Sequence, residues 1–307
     1  MTMIRMLAAL ALLAGPQAAA PAAAQAPQVS ADDVALFYRV YDAAGGAPDG
    51  ATLQRDYLGR GSAGLARFAE LRRITGEAIA AAIAKNPGFY VEARQCADAL
   101  PRVLPRVDAS ARRFAELVPG TSFPPVTVAI GRGRPVAVGE ARGAYIGLEA
   151  LCAWKAPDPD IANRMVRVIV HELVHTRQRG LAERTDEATV LHAALVEGTA
   201  EFLTELLTGS IAYGHLQRAT KGREGAIEAA FLKDVDRPAV GSAWVFNGSV
   251  AAGDTADLGY WVGYRIVKAH YARATDKRQA LLDILAIDDA QAFLAGSGWT
   301  PGMEMGE

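Results

Sequence analysis

The stretch MVRVIVHELVH, from Met165 to His175, decides how this chain is interpreted. It contains the pattern His171-Glu172-x-x-His175 within a run of apolar residues. Because a helix advances about 100° per residue, the two histidines lie one turn apart on the same face. Two imidazoles at this spacing can share one zinc ion, and Glu172 can reach a water beside it as a general base. The pattern therefore predicts a helix that carries part of a zinc site.

The apolar surroundings of the motif predict that this helix is buried. His171 and Glu172 would then lose their contact with water on folding. Buried imidazole and carboxylate groups without partners are costly, and a bound metal explains their presence. A structural cluster held by hydrogen bonds is the alternative interpretation.

A zinc site of this kind needs a third protein ligand. The extended pattern with a third histidine is absent, because Gln178 and Leu181 occupy the places it requires. Glu197 lies on the next predicted helix, over about 186–207, which should stop at Gly209. The gap before Glu197 is long enough for a turn and an antiparallel return. Gly198 beside it leaves room for a close approach between helices. Glu197 is therefore the first candidate for the third ligand.

Other residues stay open as the third ligand. Glu201 lies one turn beyond Glu197 on the same face, so it either orients a ligand or is the ligand itself. His192 and Asp186 are the remaining rivals. His192 points well away from Glu197 on the same helix, since five residues correspond to about 500°.

The residues His171–His175, followed by Glu197-Gly198-Thr199-Ala200, resemble the gluzincin metallopeptidases. The nearest likeness is to uncharacterised bacterial predicted zinc-dependent proteases, including the gliding-motility-lipoprotein-like group, and it extends to Gly259–Tyr264. The resemblance implies a zincin-like core, in which a small sheet accompanies the HExxH helix and the Glu-bearing helix. It also implies one Zn2+, held by His171, His175 and Glu197, with Glu172 as the catalytic base.

The same resemblance assigns a role to Tyr260. Tyr260-Trp261-Val262-Gly263 falls where aminopeptidase-like gluzincins have Y-x-K-G, although Val262 replaces the lysine. In that position a tyrosine hydroxyl donates to the oxyanion of the tetrahedral intermediate. Tyr264, one turn away on the same face, could substitute for it. An aromatic stripe that packs the helix against the core is the alternative interpretation.

The remaining patterns predict an α+β fold that is mostly helical, with a small sheet in the middle. We expect residues 1–24 to be a signal peptide and residues 25–120 to be an N-terminal helical part. Residues 121–307 then form the metallopeptidase core with the C-terminal helices, in one continuous domain over 25–307.

Proline, glycine and apolar spacing place the main elements. One helix is predicted from Ser62 toward Asn86, and further helices over 89–118 are expected to be interrupted at Pro101 and Pro105. Residues 125–130 predict a strand, and 136–138 and 144–148 could be two more. The resemblance gives residues 144–148 the role of the edge strand that lies along the substrate cleft.

The start of the chain predicts export. Arg5, an apolar run over 6–14 and an alanine-rich stretch form the three parts of a secretory signal peptide, with a cut after Ala24. An uncleaved N-terminal anchor is the alternative. Export to an oxidising compartment makes a disulfide between Cys96 and Cys152 plausible, and two buried thiols are the alternative.

Composition and net charge exclude some classes of function. A formal net charge of −2 excludes a strongly basic nucleic-acid binder as the default, and no later segment predicts a membrane span. We therefore expect a secreted or periplasmic zinc metallopeptidase that hydrolyses peptide bonds of a peptide or protein substrate. The alternative is a non-catalytic, zinc-stabilised envelope interaction protein that retains an ancestral motif, and it predicts a closed fourth position on the metal.

Overall fold

The computed structural model describes residues 27–134, 136–154, 158–183, 188–248 and 255–306. The predicted signal peptide and the rival ligand Asp186 lie outside the described residues. The described part is mostly helical with one small mixed sheet, which confirms the predicted α+β class. Among the described residues, the helices are all too short or too polar to cross a membrane.

The sheet has four strands: β1 (Val29–Ser30), β2 (Val126–Ala129), β3 (Ala137–Glu140) and β4 (Gly143–Gly147). Their order is β1-β2-β4-β3, with β1, β2 and β4 parallel and β3 antiparallel to β4. The prediction that residues 144–148 form the edge strand is wrong. Because β4 is hydrogen-bonded on both sides, the edge strands are β1 and β3, and β3 is the one that lines the cavity described below.

The N-terminal helices are α1 (Asp32–Ala43), α2 (Ala63–Arg72), α3 (Gly76–Lys85), α4 (Pro87–Ala97) and α5 (Leu100–Leu117). The single helix predicted from Ser62 is two helices. Ser62 caps α2, but Arg73 takes the left-handed conformation with φ 51° and ends it. Thr75 then caps α3 by accepting a hydrogen bond from the backbone of Ala78 at 3.2 Å.

Pro105 lies inside α5, so the predicted interruption there is wrong. A proline within a helix removes one backbone hydrogen bond and costs about 3 kcal/mol. In α5 the side chains of Val103, Val107 and Phe114 are buried against the core. Burial of each such side chain contributes about 1.5–3 kcal/mol, which offsets the cost of the proline.

The C-terminal helices are α6 (Leu148–Ala153), α7 (Ile161–His175), α8 (Val190–Thr208), α9 (Gly214–Thr220), α10 (Glu224–Phe231), α11 (Leu258–Arg273), α12 (Lys277–Leu285) and α13 (Ala290–Ser297). Asp160 caps α7 by accepting from the backbone of Asn163 at 3.0 Å. Gly209, with φ 83°, ends α8 where the sequence predicts its stop.

Two glycines bring α8 and α11 into backbone contact. A Cβ on Gly198 would lie 2.1 Å from the carbonyl carbon of Gly263, and a Cβ on Gly263 would lie 1.8 Å from the carbonyl oxygen of Ala194. Only glycine permits this separation, as the sequence predicts for Gly198. The crossing fixes the position of Tyr260, which lies on α11 one turn before Gly263.

The N-terminal helices pack directly on the core. Strand β1 extends the sheet, and the hydroxyl of Tyr57 donates to the carbonyl of Ile130 at 2.7 Å. The structure also joins Cys96 on α4 to Cys152 on α6, with their Cα atoms 6.3 Å apart. These contacts connect residues before and after position 121.

We expect the disulfide to stabilise the fold. It closes a loop across 56 positions, and a cross-link of this kind typically contributes about 2–4 kcal/mol to the free energy of unfolding. The free energy of unfolding, measured with denaturant, should be lower by this amount in the double variant Cys96→Ala/Cys152→Ala. Reducing agent should destabilise the wild type but not the double variant. Two free thiols found by mass spectrometry in exported protein would reject the bond.

Candidate metal centre

Three side-chain atoms from two helices meet at one point. The Nε2 atoms of His171 and His175 are 3.1 Å apart, and Glu197 Oε2 lies 3.2 Å from the first and 3.3 Å from the second. The two histidines are on α7 and Glu197 is on α8. These three residues form a group that could hold a metal ion.

The dimensions of this triangle fit zinc. Four tetrahedral ligands at about 2.0–2.1 Å from zinc lie roughly 3.3 Å from one another. The three measured separations agree with that value to within a few tenths of an ångström. Two imidazoles and a carboxylate are also donors that zinc accepts in catalytic sites.

The hydrogen bonds behind His175 aim its free lone pair at the triangle. The side-chain amide of Gln178 donates to the carbonyl of Val196 at 2.7 Å, so its oxygen faces His175. His175 Nδ1 donates to that oxygen at 2.6 Å, which leaves Nε2 unprotonated in the neutral ring. In the sequence, Gln178 stands out only as the residue at which the extended three-histidine motif fails.

Glu201 lies behind His171. Its Oε1 is 2.7 Å from His171 Nδ1, on the opposite side of the ring from Glu197. Its Oε2 accepts a hydrogen bond from the backbone N–H of Tyr213 at 3.0 Å. A carboxylate at this distance can orient the ring, the role that outer partners of metal-bound histidines take.

The two carboxyls next to the histidines differ in acidity. Burial raises the pKa of Glu172, and the imidazoles of His175 and His171 lower it by less. Burial also opposes the charge on Glu197, but the same imidazoles outweigh it and hold the pKa of Glu197 well below its usual range. Glu197 is therefore an anion, as a ligand must be, whereas Glu172 is the stronger base.

The triangle lies in the wall of a cavity of about 1010 Å³. Strand β3 forms one side, where a Cβ on Gly139 would lie 2.3 Å from the carbonyl oxygen of Glu172. His192, a rival ligand from the sequence, also lines the cavity but does not belong to the three-residue group. The cavity is large enough for several residues of a peptide.

An aromatic cluster also lines the cavity. Tyr213 and Tyr260 have ring centroids 4.9 Å apart, and Tyr213 lies 6.1 Å from His171. Burial raises the pKa of both phenols well above the usual value, so both hydroxyls remain donors. No sequence pattern marked Tyr213, which lies in the short segment between α8 and α9. Tyr264 points elsewhere, and its hydroxyl donates to Glu205 at 2.9 Å.

Part of this chain is similar to a known protein family. No curated protein and no solved structure matches the chain. Residues 142–291 match the model of a family described as "Predicted Zn-dependent protease (DUF2268)". The matched segment contains α7, α8 and α11, and therefore every residue of the triangle. Over about half of its length, the chain is similar to a family of predicted zinc-dependent proteases.

Proposed function

We propose that this protein is an exported zinc metallopeptidase of the gluzincin type, which hydrolyses peptide bonds. The observation that carries the proposal is the triangle of His171, His175 and Glu197, whose edges of 3.1–3.3 Å match zinc, at the wall of a wide cavity. The predicted signal peptide and the disulfide support a place outside the cytoplasm.

Each residue of the site has a separate role in the proposed reaction. Zinc, when bound by the triangle, supplies Lewis-acid polarisation and lowers the pKa of water toward about 7. Glu172 accepts the proton of the attacking water and passes it to the leaving amine. Tyr260 donates a hydrogen bond to the oxyanion that forms from the substrate carbonyl, and Tyr213 is its neighbour in that wall.

Strand β3 supplies the binding surface for an extended peptide. Its free edge borders the cavity, and Val136–Glu140 line it. Unpaired backbone groups on an edge strand add a further strand through hydrogen bonds that do not depend on sequence. The open cavity favours this proposal over a non-catalytic zinc-stabilised module, which predicts a closed metal site.

The first test of the site measures metal content. His175→Ala removes one corner of the triangle, so bound zinc and melting temperature should both fall. His192→Ala is the matched control, since it removes another imidazole from the same cavity. The zinc content of each purified variant is measured by elemental analysis. A wild-type zinc content in His175→Ala would reject the triangle as the metal site.

Glu172→Gln should keep zinc but lose hydrolysis. Glutamine is nearly isosteric with glutamate but accepts no proton, so the rate on a peptide identified by library digestion should fall about 10²–10⁴-fold. Glu183→Gln is the control, because Glu183 also lines the cavity but pairs with Arg179. Wild-type turnover by zinc-loaded Glu172→Gln would exclude this mechanism.

Tyr260→Phe should slow turnover by about 10²–10³-fold with zinc retained, the usual loss for one oxyanion donor. Tyr264→Phe is the matched control on the same helix, because its hydroxyl contacts Glu205 and Lys268 outside the cavity. Tyr213→Phe is measured in parallel. If only Tyr213→Phe slows the reaction, Tyr213 is the donor and the assignment of Tyr260 is wrong.

A further inference from the structure

The acidic side chains of the cavity wall already have partners. Glu140 accepts two hydrogen bonds from Arg67, at 2.8 and 2.7 Å. Asp257 accepts from the backbone of Asn247 at 2.9 Å. Apart from the metal centre and Glu172, the carboxylates of the cavity are therefore engaged within the protein.

Three cations that line the cavity differ from these carboxylates in lacking an ion-pair partner among the described residues. Arg72 ends α2, Lys85 ends α3 and Arg134 lies in the loop before β3, and all three line the cavity. Among the described residues, none of the three forms an ion pair with a carboxylate. We call these three residues the cationic wall. They come from three separate elements and line one cavity.

Arg72 is the central member of the cationic wall. It is partly buried, and its Nε is fully buried with no hydrogen-bond partner. An unpaired buried donor on a charged group is costly, more so than for a neutral group. Arg72 also lines the same cavity as Glu172, the proposed catalytic base.

The backbone holds this arginine in place. The carbonyl of Arg72 accepts from Arg132 at 3.2 Å, which ties the end of α2 to the loop that precedes β3. At the other end of β3, Arg67 on α2 binds Glu140. Two hydrogen bonds thus tie helix α2 to the last residue of β3 and to the loop before it. Because Arg72 and β3 line the same cavity, a peptide on the edge of β3 would occupy the cavity that the cationic wall also lines.

We propose that the cationic wall binds a carboxylate of the peptide substrate, with Arg72 as the main contact. The inference rests on the proposed peptidase function and adds its substrate class, namely peptides with an acidic side chain or a free C-terminus near the cleaved bond. Arginine matches a carboxylate with two parallel hydrogen bonds, which makes it the residue type suited to such recognition.

The test uses zinc-loaded full-length protein and matched peptides. Around the cleaved bond of a peptide from the library, each position carries Glu, Gln or Lys in turn, and the C-terminus is either free or amidated. The wild type should prefer a carboxylate at one position. Arg72→Gln should lower kcat/KM for the preferred peptide by about 10- to 100-fold, the value of a charge-assisted hydrogen bond. The peptide with Gln or an amide at that position should change little.

Arg73→Gln is the matched control, because Arg73 is the exposed neighbour and does not line the cavity. Arg134→Gln, at an exposed loop position, gives a second variant of the wall with little risk to folding. It should weaken the same preference. An equal loss on carboxylate and neutral peptides in Arg72→Gln would overturn the proposal, because Arg72 would then act on the reaction itself.

A binding experiment separates this inference from the proposed function. Fluorescent peptides with Glu or Gln, and with free or amidated C-termini, are titrated into zinc-loaded Glu172→Gln, with and without Arg72→Gln. Tighter binding of a carboxylate form, lost with Arg72, supports the wall even if no peptide is hydrolysed. Equal binding of all forms overturns it, whatever the wild type cleaves.

Discussion

The imidazole of His171 is the point on which the site depends. Its Nε2 faces Glu197 at 3.2 Å and its Nδ1 faces Glu201 at 2.7 Å. Because the two glutamates are four residues apart on α8, one ring on α7 sets the register between the two helices. A shift of either helix by one residue would leave buried carboxylates without partners, which the interior does not tolerate.

The neighbouring elements reach this helix pair through close backbone contacts. Gly198 and Gly263 bring α11 against α8, and Gly139 brings β3 against α7. The first contact positions Tyr260 and the second positions the edge strand β3, and both line the cavity that holds the triangle. The cavity is therefore a product of how these helices and the sheet pack.

The N-terminal helices are part of the cavity as well as of the fold. The similarity to zinc-dependent proteases covers residues 142–291, whereas Arg72, Lys85 and the free edge of β3 come from earlier in the chain. The disulfide between Cys96 and Cys152 holds α4 against α6, which precedes the metal helix. The features that we associate with substrate choice thus lie largely outside the segment that matches the family.

Local spacing by itself determined that His171 and His175 lie together on one helix, since residues four apart share a helical face whatever surrounds them. It also determined the stop of α8 at Gly209 and most strand positions, which depend on neighbours along the chain. Only the tertiary structure decided that β3 is the edge strand, that α5 continues through Pro105, and that Gln178, Tyr213 and Arg72 face the cavity. Those outcomes depend on packing between distant segments, whose burial and hydrogen bonding outweigh local preference and leave no periodic trace in the sequence.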